Sequence, residues 1–338
     1  MNTGKPSEYL PTAEEAAENT FPAIVDAATF AAEPMTEPAQ VVHGILHQGS
    51  KLALGGGSKS FKTWTLIDLA LSVAYRMPWL SFPTTQGRVL FVNFEIQDFS
   101  WQSRINAVAA AKGIEHEAEK LHLLNLRGRA ANYRTLIPQI QKLAKEQGFA
   151  LIILDPIYKL YGGADENSAG DVAGLLNALE SLAVDTGAAI AFGCHFSKGN
   201  QAAKESIDRI SGSGVFARDP DSLLVMTRHE TENAFTIEAT LRNFPQVEPF
   251  VVTWKYPIMQ PDAGLDPAAL KQAAGRKATS TADDLLALLN DGPLTTAEWK
   301  QSADDELGVS KTKFYRQLSE LTGKSKAIKT TGDKWKKA

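Results

Sequence analysis

From Val41 onward, apolar runs alternate with stretches whose apolar positions recur at helical spacing. KLALGG, GRVLFVNFE, KLHLLNL, ALIILDP and AAIAFGCHF are short and rich in Leu, Ile, Val and Phe, the pattern of strands buried on both faces. Between them, residues 62 to 76, 98 to 112, 133 to 147 and 168 to 186 carry apolar residues three and four apart, so helices are expected there. Such alternation implies an α/β fold with a mostly parallel sheet. After Ser222 the runs SLLVMTRH, AFTIEATLR and PFVVTWKY are joined by polar turns, which predicts antiparallel strands at the sheet edge and a domain ending near Pro257.

Both flanks break this pattern. Residues 1 to 40 hold seven acidic residues against one lysine, with many Ala and Pro, and read as a flexible or weakly helical lead-in. Residues 258 to 280 carry Pro, Gly, Ala and Ser without an apolar stripe, as an interdomain linker does. From 281 to 338, TADDLLALLND, TAEWKQSADDEL and SKTKFYRQLSEL predict three short helices, each opened by a Thr or Ser able to cap it. The expected unit is a small winged helix-turn-helix-like domain.

Length and composition fit this division. A chain of 338 residues suits one large domain, 41 to 257, plus one small one. No apolar run approaches the roughly 20 residues that span a bilayer. MNTGKPSEYLPTAEEAAENT has neither the basic start nor the apolar stretch of a secretory signal, so a cytoplasmic location is expected. The single cysteine, Cys194, excludes an intramolecular disulfide and a Cys-cluster metal site. Net charge is only −4, but it is unevenly placed: residues 310 to 338 hold nine Lys or Arg against two acidic residues.

Candidate chemistry gathers where strands end. LALGGGSKSFKTWTLIDLALSVA sets a strand, a glycine-rich turn and a helix in the order that aims backbone N–H groups at phosphate oxygens. Against the pattern GxxxxGK[ST], Gly56, Lys62 and Thr63 match, while Phe61 stands where the last glycine usually does. Gly55, Gly56, Gly57, Ser58, Lys59, Ser60, Phe61, Lys62 and Thr63 form the candidate cradle, with Lys62 assigned to the β- and γ-phosphates and Thr63 to Mg2+. A side chain at 61 calls for ordinary helical dihedrals and a ring turned away from the loop. The rival reading is a glycine-rich strand-to-helix turn with no ligand.

ALIILDP delivers Asp155 to the carboxyl end of a buried strand, where ligands sit in such sheets, and so assigns it to Mg2+ or its waters. Glu95 ends RVLFVNF and is placed to orient or deprotonate a water. His195 ends the next apolar strand and can sense the γ-phosphate. The alternatives are a turn-forming aspartate, an N-cap partner and a buried structural histidine.

Taken in order, GGGSKSFKT, FVNFE, LDPIYKLYGGADENSAGD, TGAAIAFGCHFSKG and RISGSGVFARDPDSLLVM resemble the RecA-like ATPases that include plasmid RepA replicative helicases and related phage and plasmid ATPases. The resemblance covers roughly residues 41 to 250. It implies a RecA-like P-loop NTPase core, ATP with Mg2+, and a ring, usually a hexamer, in which a neighbour's arginine completes each site. Arg242 in TLRNFP is the candidate for that arginine, with Arg228 and Arg218 as competitors. It also implies that residues 157 to 170 and 197 to 212 line a channel for single-stranded DNA. Lys198, Lys204 and Arg209 are its candidate phosphate contacts, and Tyr158 or Tyr161 its stacking surfaces.

The basic tail argues separately for nucleic acid. Lys311, Lys313 and Arg316 lie on SKTKFYRQLSEL, the expected recognition helix, and KSKAIKTTGDKWKK reads as a basic wing carrying Trp335. Protein docking by the same unit is the alternative. The function expected is an ATP-hydrolysing, ring-forming, DNA-dependent motor. A non-translocating DNA-binding regulator or assembly ATPase is the main rival, and a signalling ATPase of the KaiC kind a weaker one.

Overall fold

The computed structural model describes residues 24–129, 132–161, 169–195, 209, 218–271, 281–290, 292–307, 309–330 and 332–338. The chain separates into two compact units, Met1–Ala39 and Gln40–Ala338. In the first, the Asp26 carboxylate accepts from the backbone N–H of Ala28 (3.0 Å) and Thr29 (3.1 Å), capping a short helix, Ala27–Ala32, that buries none of its residues.

The second unit opens with an antiparallel pair, β1 (Gln40–Val42) and β2 (Leu46–His47). A large sheet follows, built from β3 (Lys51–Gly56), β4 (Val89–Asn93), β5 (Leu121–Asn125), β6 (Leu151–Asp155), β7 (Ala189–His195), β8 (Ser222–Arg228), β9 (Ala234–Leu241), β10 (Phe250–Lys255) and β11 (Ile258–Pro261). Their order is β11-β10-β9-β8-β3-β7-β6-β4-β5. Strands β8, β3, β7, β6, β4 and β5 run parallel, and β9 to β11 continue the sheet antiparallel.

The helices Lys62–Tyr75, Asp98–Ala111, Tyr133–Gln147 and Ala169–Thr186 lie within one residue of the spans expected from periodicity. They cover both faces of the sheet. Leu52, Leu54, Leu151 and Ile153 pack with Leu66, Leu69 and Ile105 on one side, while Ala53, Ile152 and Leu154 pack with Ile137, Ile140 and Leu179 on the other. A strand buried on both faces has no polar side, which is why these runs are continuously apolar.

Three expectations change. SLLVMTRH was expected to be antiparallel, yet Ser222–Arg228 pairs parallel with β3, and only the strands after it reverse. KLHLLNL was expected to be buried, but β5 is the sheet edge and leaves Leu123 49% exposed. The folded body also continues past Pro257, because Ile258–Pro261 pairs with β10 and His229 bridges Leu270. An edge strand needs only one partner, and a four-residue run, IMQP, is too short to show an alternating pattern in the sequence.

Beyond residue 280, the helices Ala282–Ala287, Thr296–Leu307 and Lys311–Gly323 accompany a three-stranded antiparallel sheet of order β12-β14-β13, with β12 at Leu294–Thr295, β13 at Ala327–Lys329 and β14 at Lys334–Lys337. Leu285, Trp299, Phe314 and Leu321 form its core, and the Trp299 indole N–H donates to the Leu285 carbonyl at 2.8 Å. Thr281 and Asp284 make a capping box, and Thr295 exchanges equivalent bonds with Glu298. Ser310 occupies an N-cap without a side-chain cap bond. Among the described residues, no helix is long and apolar enough to cross a membrane.

Candidate nucleotide site

Strand β3 is buried along its whole length and hands the chain to a tight loop, 57 to 61, from which the helix at Lys62 departs. Gly56 leaves room at the strand end for the side chains of the loop. A Cβ there would lie 2.7 Å from Ser60 Oγ and 3.3 Å from Lys62 Cδ. The Lys62 ammonium is folded back onto the loop, donating to the carbonyls of Gly56 (2.8 Å) and Gly57 (2.9 Å). Burial pushes its pKa down, against the opposing charges of Asp155 and Glu95. Carbonyl acceptors are weaker partners for an ammonium than phosphate oxygens.

Phe61 departs from the sequence expectation. Its backbone is left-handed (φ 62°, ψ 18°), not helical, although the ring does turn away from the loop interior and stacks on Trp254 at 4.2 Å.

Asp155 ends β6, is 4% exposed, and accepts from the Thr63 hydroxyl at 2.6 Å. Burial raises its pKa to about 6, with the Thr63 bond and Lys62 pulling the other way. Room for the carboxylate comes from Gly193 in β7, where a Cβ would stand 2.4 Å from Asp155 Oδ1. A hydroxyl and a carboxylate side by side at a helix start suit a hard cation that takes its remaining oxygens from phosphate and water. Among the described residues, no group of three or more His, Cys, Asp or Glu could hold a metal by itself.

Glu95 reaches the cleft through a turn that Asn93 builds. The buried Asn93 Oδ1 accepts from the N–H groups of Glu95 (3.1 Å) and Ile96 (2.9 Å), while its Nδ2 donates to the Ile96 carbonyl (2.7 Å). Glu95 is exposed, and the Tyr158 hydroxyl stands 3.4 Å from its Oε1. His195 is the register partner of Gly56 at the end of β7. Its pKa is lowered, first by burial and then by Lys62, against the opposing charge of Glu95.

A cleft of about 500 Å3 joins these residues, and Gln97, Ser100 and Arg104 complete it. Arg104 sits 5.0 Å over the Trp64 ring and senses the charges of Asp155 and Glu95. Sequence reasoning missed Arg104, Asn93 and Gly193. A glycine inside an apolar strand was the available signal for Gly193. Nothing local marks Arg104, which is brought in by the helix Asp98–Ala111.

A model of the AAA domain matches residues 14–201, more than half of the chain. The chain belongs to the AAA domain family. No curated protein matches it. The AAA domain match takes in the phosphate loop, Glu95, Asp155 and His195, and stops before β8, the later strands and residues 281 to 338. Fold, loop and family together make this a P-loop NTPase domain.

The remaining candidates fall outside the cleft. Arg242 follows the end of β9, beside the start of β8, donating to the Arg218 carbonyl at 2.8 Å and facing Asp221 at 3.4 Å, at the sheet end opposite the loop. Arg228 alone among the three arginines approaches the chain's own loop, 3.4 Å from the Ser58 carbonyl and 3.3 Å from that of Lys59. Lys198 and Lys204 lie outside the described residues. Arg209 is 3% exposed and bonded to Glu238 and to Thr227 (2.9 Å), which withdraws it from any surface a strand of DNA could touch. Tyr161 is 7% exposed within the core, and Tyr158 faces Glu95 and His195, so neither offers a free stacking face. Lys311 and Arg316 are exposed and Lys313 is half-buried, on a helix whose other face buries Phe314 and Leu321.

Proposed function

We propose that the AAA domain binds ATP with Mg2+ at this loop and hydrolyses it, and that the chain works as a ring-forming, DNA-dependent motor of the plasmid or phage replicative helicase type. The observation that carries the chemical part is the convergence of Lys62, Thr63, Asp155, Glu95 and His195, from three separate strand ends and the loop helix, on one cleft.

In this reading Lys62 leaves the Gly56 and Gly57 carbonyls for the β- and γ-phosphates, and the loop N–H groups receive phosphate oxygens. Thr63 and Asp155 hold Mg2+, whose charge offsets that developing on the phosphoryl oxygens. Glu95 accepts a hydrogen bond from the attacking water and orients it. His195, at the end of β7, offers a ring N–H to the γ-phosphate and relays its presence to the residues that follow. Arg242, on the sheet end away from its own loop, acts on a neighbour's nucleotide.

Residues 281 to 338 are read as a winged helix. Helix, short strand, two helices and a two-stranded wing follow one another in that order, and exposed Lys311, Arg316, Lys334 and Lys336 supply phosphate contacts. A hexamer and single-stranded DNA in its channel rest on the family resemblance.

The second reading, an assembly ATPase whose nucleotide state controls DNA binding without translocation, is favoured by the buried state of Arg209 and Tyr161, which thins the channel contacts. Turnover with and without single-stranded DNA, together with mass in solution, tests the first reading. No turnover, or turnover indifferent to DNA, removes the motor. ATP-dependent unwinding of a forked duplex removes the second reading.

A further inference from the structure

The loop residue that breaks the phosphate-loop pattern meets contacts from the antiparallel strands on the same face of the sheet. Phe61 occupies the N-cap of the phosphate-loop helix with φ 62°, a conformation that glycine adopts freely and a bulky side chain rarely does. No side-chain cap bond secures it. Its ring lies parallel to Trp254 of β10 at 4.2 Å and edge-on to Phe235 of β9 at 6.0 Å. Both partners belong to the antiparallel strands, which the family match does not reach. From the same side, the Arg228 guanidinium of β8 lies 5.8 Å from the Phe235 ring and close to the Ser58 and Lys59 carbonyls. The Phe61 carbonyl receives the Thr65 N–H at 3.0 Å, so the residue that carries the stack also sets the first helical turn, with Lys62 and Thr63 on it.

We propose that Phe61 is a positioning residue of the nucleotide site: its stack on Trp254 holds the phosphate loop in the left-handed turn that aims Lys62 and Thr63. Strands β9 and β10 thereby do what a glycine does elsewhere. Glycine permits the turn; the Phe61–Trp254 stack selects it. This rests on the nucleotide-binding reading, and it makes a claim that reading does not: the loop's competence depends on an aromatic contact with a strand that touches no ligand.

The test is direct ATP binding by titration calorimetry, with Mg2+ present, on the full chain and five variants: Phe61→Gly, Phe61→Ala, Phe61→Tyr, Trp254→Ala and the Phe61→Ala/Trp254→Ala pair. Loss of an aromatic pair that selects the bound conformation should raise Kd about tenfold in Phe61→Ala and in Trp254→Ala, and the pair should be no worse than the weaker single variant by more than about threefold. Phe61→Tyr, which keeps the stack, should bind within about threefold of the wild type, and Phe61→Gly should fall between Tyr and Ala. A merely structural contact would lower melting temperature and leave the Kd of folded protein unchanged, so melts of the nucleotide-free variants are recorded alongside. Should the alanine variants not fold, Trp254→Phe against Trp254→Leu asks the same question. Wild-type affinity in Phe61→Gly, or independent multiplication of the two alanine effects, overturns the proposal alone. A wild-type chain that binds no ATP sinks the nucleotide reading and this inference with it.

Discussion

The Thr63 hydroxyl donates to Oδ2 of Asp155 across 2.6 Å, joining the first turn of the phosphate-loop helix to the end of a strand 92 residues later in the chain. That single bond closes the candidate Mg2+ site, and it also partly stabilises a carboxylate that burial would otherwise keep protonated.

Asp155 should therefore trade stability for function. Its pKa of about 6 lies above the ordinary carboxylate value, so the folded state holds a proton more tightly than the unfolded chain does. Stability of the nucleotide-free protein from this group is present below about pH 4, is lost as pH rises towards about 6, and stays lost above it. Asp155→Asn should remove that pH dependence, stabilise the nucleotide-free protein at pH 7 by on the order of 2 kcal/mol, and abolish Mg2+-dependent turnover. Chemical denaturation of both proteins across pH 4 to 8 checks the sign.

Glu95 is exposed and anchored at its backbone by Asn93, so its carboxylate can be altered without disturbing the sheet. Glu95→Gln should leave ATP affinity within about threefold and reduce kcat by roughly 100-fold or more, the range expected for a positioned base. Normal turnover in this variant would show that another group handles the water.

Gly193→Ala probes the space around Asp155. The added Cβ would meet Asp155 Oδ1 at 2.4 Å, so the carboxylate must shift, which disturbs its bond from Thr63. Turnover should fall about tenfold or more while far-UV circular dichroism stays unchanged, and excess Mg2+ should recover part of the loss. Unaltered Mg2+ dependence would argue that the carboxylate is not a metal contact.

Arg242→Ala should affect turnover only through assembly. Because the side chain sits at the sheet end away from its own loop, a mixture with Lys62→Ala subunits should regain activity at interfaces that pair an intact Arg242 with an intact Lys62. Mixing that restores nothing would return the role to Arg228 or remove the arginine from the mechanism.

Much of the site was legible because its parts obey local rules. Gly56, Lys62 and Thr63 follow one another, and Asp155, Glu95 and His195 each close an apolar run, so a strand end could be read for every one of them. Arg104 was not legible: nothing in DFSWQSRINAV distinguishes it from a surface cation, and only the packing of its helix brings it over Trp64 and into the cleft. Arg209 and Tyr161 mislead in the opposite direction, since a charge or a ring in a polar stretch looks solvent-facing until its buried partners are known.

By itself, the order of apolar runs determined that this chain is an α/β protein with a glycine-rich phosphate loop, because buried parallel strands and amphipathic helices impose periods that depend only on neighbours in sequence. Tertiary structure alone decided that β8 runs parallel, that the sheet continues past Pro257, and that Phe61 holds a left-handed turn against Trp254. Strand direction, edge pairing and an aromatic stack between residues 61 and 254 are contacts between distant segments, and the energy that selects them arises only once the sheet has brought those segments together.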